Sequence, residues 1–328
     1  MRCTNRKSIL EFLCAVSVTA GILSGCGSLP YDMAYDTVSG VSSFNVVSGQ
    51  DTRFAQPFAT DLCVVYGDIS APAERPVNLE RAEAAALFNL NRHEAVYAKN
   101  VHEQLHPASL TKIMTALVAL QNGRLDQILT ATSAVNITES GAVLMGLKVG
   151  DTMTLDQALR IMLLSSANDA AMLVAEGVGG SVENFVEMMN QEAIRLGATN
   201  THFANPNGLT DVNHYTTAYD LYLIFNEAIK YETFSEIIQM TSYQTTYYDR
   251  NSRAKEFNKS TTNRFLKDFQ APANVTVIGG KTGTTSAAGH CLMLLSRDTG
   301  GAPYISIILR SDDTVYEEMN ELLRQINN

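Results

Sequence analysis

Along the chain the apolar positions change period several times, and each change marks an element. Leu62-Cys63-Val64-Val65-Tyr66 is a short apolar run that predicts a strand, and Ala84 to Leu90 followed by Glu94 to Tyr97 predicts two strands about an Asn91-Arg92 turn. From Ser109 to Leu120 the apolar residues Leu110, Ile113, Met114, Leu117, Val118 and Leu120 cover more than one stripe, which predicts a buried helix. Further helices are predicted over Leu155 to Leu164, Asp169 to Glu176 ending at Gly177, Val182 to Leu196 closed by Gly197, and Tyr219 to Ile229. Thr241 to Tyr248, Val275 to Ile278, Cys291 to Ser296 and Tyr304 to Leu309 read as strands, and Val315 to Ile326 as an amphipathic helix. Helical blocks enclosed by strands from both ends predict a sheet whose strands are distant in sequence.

The first residues follow another pattern. Arg2, Arg6 and Lys7 precede an apolar stretch from Ile9 to Leu23 that is short for a membrane span and has the layout of an export signal. Leu23-Ser24-Gly25-Cys26 resembles the lipobox of bacterial lipoproteins, which implies cleavage before Cys26 and a diacylated cysteine as the new first residue. Two acyl chains give stable anchoring where one gives only marginal binding, so the mature chain is expected to hang from a bacterial membrane, exported and facing the cell wall or periplasm. Residues 26–58 are rich in Ser, Gly and Asp without helical periodicity and read as a flexible tether; residues 1–25 are the signal and residues 59–328 the folded, catalytic part.

Composition narrows the classes of function. A chain of 328 residues with 45% hydrophobic content buries a sizeable core. The net charge of −10, more acidic still without the signal, argues against a nucleic-acid partner. Of five cysteines only Cys63 and Cys291 remain outside the signal and the lipid site, so no disulfide framework is implied: the two form a single bridge in an oxidising compartment or, as isolated cysteines in apolar runs more often do, stand as buried thiols.

Three polar clusters interrupt the apolar pattern. Ser109-Leu110-Thr111-Lys112 opens the buried helix after Pro107, and a spacing of three puts hydroxyl and amine on one face. A serine hydroxyl is a poor nucleophile unless a neighbour takes its proton, and a lysine does so once burial or nearby positive charge lowers its pKa. Taken alone, this spacing also describes many surface or cap pairs. Ser166-Ala167-Asn168 lies between two predicted helices, either as caps together with Asp169 or as a proton relay at Ser166 and an orienting amide at Asn168. Lys281-Thr282-Gly283-Thr284, entered through Gly279-Gly280, reads as a lysine-bearing hairpin turn or as an edge strand that receives an extended peptide, with Lys281 and Thr282 on a carboxylate and Gly283 admitting the substrate backbone.

Together and in this order, SxxK, SxN and KTG resemble the signature shared by penicillin-binding proteins and serine β-lactamases. Pro107-Ala108-Ser109, Asn168-Asp169-Ala170-Ala171, Met189-Asn190, Asn205-Pro206-Asn207-Gly208-Leu209, His214-Tyr215-Thr216-Thr217-Ala218 and Thr262-Asn263 extend the similarity to the low-molecular-mass D-alanyl-D-alanine carboxypeptidases, peptidase family S11, from about Leu62 onward. The resemblance implies a mixed α/β, β-lactamase/transpeptidase-like fold: an antiparallel sheet flanked by helices, with a helical subdomain and the site between them. It implies Ser109 as nucleophile, Lys112 as base, Ser166 and Asn168 in support, Lys281, Thr282, Gly283 and Thr284 as substrate-binding, and the amides of Ser109 and Thr284 as the oxyanion hole. Peptidoglycan stem peptides are the implied substrate and β-lactams the implied covalent inhibitors, with no cofactor. The pattern departs at Ala167, commonly Gly, at Asn207, often His, and at Thr284, frequently His; the chain also stops where many relatives continue into a further β-rich domain.

Competing readings are distinguishable. His102-Glu103-Gln104-Leu105-His106 satisfies HExxH, but zinc binding by that pattern needs one continuous helix, and Pro107 opposes helical geometry at His106. Glu187 before Met188-Met189-Asn190 superficially offers the deacylating carboxylate of a class A β-lactamase, yet it falls inside a predicted helix. A D,D-endopeptidase, or a peptidoglycan-binding lipoprotein without turnover, would carry the same three clusters.

Overall fold

The computed structural model describes residues 61–326 throughout and, before them, the backbone of two paired strands. Those strands, β1 (Tyr31–Tyr35) and β2 (Ser42–Val46), form an antiparallel hairpin where the sequence predicts a tether free of elements. The export signal and Cys26 lie outside the described residues. Residues 1–60 and 61–328 are separate compact units, and the second contains all three of the polar clusters.

The frame of this second unit is a five-stranded antiparallel sheet made from β3 (Ala84–Asn89), β4 (Glu94–Lys99), β9 (Val275–Thr285), β10 (Gly289–Asp298) and β11 (Pro303–Ser311). The order β4-β3-β11-β10-β9 pairs the start of the domain with its end, as the sequence pattern requires, and leaves β9 on an edge. Period-two alternation divides the sheet residues between two cores. Leu292, Leu294 and Ile308 face α7 (Val315–Leu323) through Val315, Met319 and Leu322, while Cys291, Met293, Ile305 and Ile307 join the larger core of the helical side.

At the centre of that larger core lies α1 (Thr111–Asn122), buried from Thr111 to Ala119 as its all-round apolar pattern predicts. Around it stand α2 (Leu155–Ser165), α3 (Asn168–Gly179), α4 (Val182–Arg195), α5 (Ala218–Ala228) and α6 (Glu232–Gln239). Local chemistry starts these helices: Thr154 and Gln157 form a reciprocal capping box on α2, Ser181 caps α4 and Thr217 caps α5. Gly177 does not end α3, which continues to Gly179 and closes on the left-handed Gly180. A second antiparallel sheet, β5 (Ile128–Thr130), β6 (Thr152–Thr154), β7 (Ser242–Tyr248) and β8 (Ala254–Ser260), flanks this block. Among the described residues no helix is long and apolar enough to cross a membrane.

The run Leu62 to Tyr66 is not a strand. Its alternation is real, with Cys63 and Val65 buried and Val64 and Tyr66 exposed, but the Cys63 N–H donates to the Tyr222 hydroxyl at 2.9 Å rather than to a neighbouring strand. Cys63 and Cys291 are both buried free thiols, held protonated by burial, which pushes the first up to about 11 and the second to about 12.

Candidate active site

Ser109 sits in a single 3-10 turn, Ala108–Leu110, that feeds directly into α1. The turn begins with Ala108 at φ 48°, a left-handed conformation unusual for a residue with a Cβ. Three contacts hold it there. The Thr111 hydroxyl donates to the Ala108 carbonyl at 2.8 Å, and its oxygen accepts from His214 Nε2 at 2.7 Å. His214 Nδ1 in turn accepts from the Ala204 amide at 3.1 Å, which fixes the neutral tautomer, consistent with burial pushing its pKa down to about 4. Gly208, at φ 84°, packs so closely on the Ala108 carbonyl that a side chain there would overlap it.

One helical turn on from Ser109, the Lys112 ammonium is fully buried and makes three hydrogen bonds: to Ser109 Oγ at 2.8 Å, Asn168 Oδ1 at 2.7 Å and the Asn207 carbonyl at 2.5 Å. Burial holds its pKa well below that of an ordinary lysine, and the neighbouring charge of Lys281 pushes in the same direction. The partner on Asn207 is a backbone carbonyl, so replacing a histidine at this position leaves the contact intact.

Ser166 ends α2 in the left-handed conformation, φ 62°, and Ala167 then redirects the chain so that Asn168 begins α3. This bend aims both polar side chains at the lysines. Ser166 Oγ accepts from Lys281 Nζ at 2.9 Å, while Asn168 binds Lys112. Neither residue caps α3 through its side chain. Lys281 is 1% exposed, its ammonium also donates to the Thr282 carbonyl at 2.7 Å, and burial lowers its pKa to about 7.

Lys281 to Thr284 lie on the edge strand β9 rather than in a turn. Gly283 has a reason within the protein itself. A Cβ there would lie 2.9 Å from the Ser109 amide nitrogen and 3.1 Å from the Pro107 carbonyl, so the glycine admits the Ser109 turn against β9. A pocket of about 350 Å³ opens here, with Ser109, Val143, Ser166, Thr282, Gly283 and Thr284 among its lining.

The same pocket contains a group that sequence reasoning missed. Arg264 lines it from the exposed side, its guanidinium 5.2 Å from the Phe269 ring centroid and 5.1 Å from that of Tyr316. Two residues before it, the Thr262 hydroxyl shares a hydrogen bond of 2.7 Å with that of Thr282. Thr262-Asn263 marked the place in the sequence, but nothing there joined an arginine to β9.

The decoys separate cleanly. His102 to His106 is irregular, and its two imidazoles diverge, His102 Nε2 lying 2.9 Å from the Val65 carbonyl and His106 Nδ1 2.7 Å from that of His214. Glu187 is on the exposed face of α4, bonded to Gln191. Asn190 beside it clamps the backbone N–H and C=O of Phe203, a structural task.

The chain is similar to known proteins. The D-alanyl-D-alanine carboxypeptidase family model, peptidase S11, matches residues 71–313. The D-alanyl-D-alanine carboxypeptidase DacF of Bacillus subtilis is 37% identical over 219 residues, covering 64% of this chain and 53% of the relative. DacC of Escherichia coli, with the same description, is 31% identical over 272 residues, covering 79% and 65%. The chain thus spans between about half and two thirds of the length of these curated relatives. The crystal structure of the Streptomyces K15 DD-transpeptidase superposes with a TM-score of 0.70 at 27% identity, covering 78% of this chain and 98% of that one. A buried lysine of SxxK bonded to its own Ser109 and to Asn168 of SxN, a KTG edge strand and a family match over most of the chain converge, and the chain belongs to the D-alanyl-D-alanine carboxypeptidase family of S11 peptidases.

Proposed function

We propose that the chain is a serine-type D-alanyl-D-alanine carboxypeptidase that removes the terminal D-alanine from peptidoglycan stem pentapeptides. The observation that carries this reading is the Lys112 amine, buried, depressed in pKa and 2.8 Å from Ser109 Oγ. A neutral lysine there takes the serine proton as Oγ attacks the carbonyl of the penultimate D-alanine. The oxyanion that forms lies between the amides of Ser109 and Thr284, donors fixed before charge develops. Collapse of this intermediate breaks the C–N bond. The leaving amine takes, through Ser166, the proton that Lys112 accepted from Ser109, which leaves Lys112 neutral again; Lys281 keeps Ser166 oriented at 2.9 Å. Water then attacks the ester, with Lys112 again accepting the proton, and the shortened peptide leaves Ser109 regenerated. The substrate peptide pairs with the free edge of β9, and its terminal carboxylate meets Thr282 with the permanent charge of Arg264 behind it.

The mature protein is, in the same proposal, exported and held to the membrane by lipid on Cys26, with β-lactams as covalent inhibitors at Ser109. The test is release of free D-alanine from a D-Ala-D-Ala-terminated pentapeptide by purified protein, with and without penicillin. Penicillin-sensitive release that Ser109→Ala abolishes, together with covalent labelling, is expected. Labelling that persists in Ser109→Ala would remove the nucleophile from that residue, and no release from folded protein would shift the reading to cross-linked endopeptidase substrates.

A further inference from the structure

Among the buried carboxylates that take no direct part in the proposed reaction, one stands beside the site. Asp169 follows Asn168 at the start of α3, is 1% exposed and faces a segment without repeating structure between β5 and β6. Its Oδ1 accepts from the amides of Met145 and Ala170, both at 3.0 Å, and its Oδ2 from those of Gly146 at 2.8 Å and Leu147 at 3.0 Å. Just before this clamp, the Val143 carbonyl accepts from the Asn168 amide at 2.8 Å. Asn168 and Asp169 therefore hold the segment by its backbone while the Asn168 side chain holds Lys112.

What the clamp positions is a wall of the pocket. Val143 lines it with Ser109, Ser166 and residues 282–284 of the KTG strand, and Val143 and Leu144 are 51% and 43% exposed, high for aliphatic side chains. Charge-assisted bonds from three consecutive amides converge on one carboxylate, an arrangement that fixes the path of a loop with few other anchors. Gly146 reaches this geometry at φ 94°, with open space where a side chain would be.

We propose that Asp169 is a positioning residue, and that the Val143 wall it holds is the specificity-determining surface for the acyl side of the stem peptide. A peptide paired to β9 turns successive side chains to the two faces of the extended sheet, and a pocket-lining side chain beside that edge meets those on one face. An ordered Val143 then contributes binding in the ground state and the transition state alike, which affects KM more than kcat.

The inference rests on the carboxypeptidase reading, and the experiment separates the two. Asp169→Asn keeps the volume but turns an NH2 group toward amides that need an acceptor. Deuterium uptake across residues 137–150, measured without substrate, rises in this variant, as it does in Gly146→Ala, where a Cβ disfavours the positive φ but meets no neighbour. With the pentapeptide, both variants and Val143→Gly raise KM about tenfold while kcat changes less than about threefold, and the double variant of Asp169→Asn with Val143→Gly is no worse than either alone. Unchanged exchange in Gly146→Ala and Asp169→Asn would overturn the clamp, and unchanged KM in Val143→Gly, or full additivity, would overturn the wall. Should Asp169→Asn fail to fold, Gly146→Ala and Val143→Gly decide both points. Wild-type protein that exchanges as expected but releases no D-alanine would defeat the enzymatic reading instead.

Discussion

Lys112 and Lys281 are two amines buried in one site, and the charge of Lys281 acts on Lys112. The charged form of Lys112 is disfavoured first by burial, then by Lys281, while Asp169 acts in the opposite sense. In the proposed reaction Lys112 must be neutral to act as base, so kcat/KM is expected to fall as pH drops through the apparent pKa of the coupled pair. Lys281→Met removes the repulsion, raises the Lys112 pKa and so moves this acid limb to higher pH, in addition to lowering the plateau by disorienting Ser166. The rate of β-lactam acylation against pH reads both effects; an unmoved or downward-moved limb would show that Lys281 does not set the field at Lys112. Stability carries the matching sign. Lys281 has a folded pKa of about 7 against 10.5 for an ordinary lysine, so the unfolded chain holds the extra proton between those values and stability grows as pH rises through that window. In urea unfolding, the wild type should therefore gain on Lys281→Met between these two pH values.

At the scale of elements, the decisive contact is between β9 and the turn of Ser109. Gly283→Ala places a methyl group 2.9 Å from one backbone atom and 3.1 Å from another, neither able to rotate away. Relief requires the strand and the turn to part by several tenths of an ångström. Overpacking of this kind costs about 1–3 kcal/mol of stability, and small displacements of a nucleophile cost on the order of a hundredfold in rate. Acylation by penicillin should thus slow far more than a modest fall in Tm accounts for; normal acylation would mean that β9 and the turn separate freely. The same strand shows why parts of the fold were hidden in the sequence. Val275 to Ile278 announced a strand, but the Gly-Gly-Lys-Thr-Gly half has little strand propensity and is extended by its pairing with Gly289 to Leu295. Strand β8, mostly exposed and rich in polar residues, is likewise made by pairing with β7. Helix α6 did carry a signal, Phe234, Ile237 and Ile238 at helical spacing, within only eight residues. The buried helices and the sheet core were legible because their periodicity and their burial agree.

For the whole molecule, the site depends on segments that meet only because the sheet joins the two ends of the folded unit. Ser109, Ser166 and Lys281 are legible from local triplets, since side-chain chemistry needs particular residue types. The carbonyls of Asn207 and Val143 are not legible, because any residue supplies a carbonyl, and Arg264 is not, because its approach to β9 is a tertiary fact. Every one of these groups lies within residues 61–328, which form a compact unit of their own. Residues 61–328 expressed alone should therefore fold and release D-alanine with a kcat/KM within about twofold of the chain that begins at Cys26, a difference under about 0.5 kcal/mol in barrier. In the proposed function lipid on Cys26 would supply location without chemistry, so Cys26→Ala should shift the protein from the membrane to the soluble fraction at unchanged kcat/KM on soluble pentapeptide. On intact cell-wall material the two forms should diverge, because anchoring raises the local concentration of enzyme near the membrane face. Membrane retention of Cys26→Ala would dismiss the lipid anchor, and loss of soluble activity in residues 61–328 would show that the first unit takes part in the site.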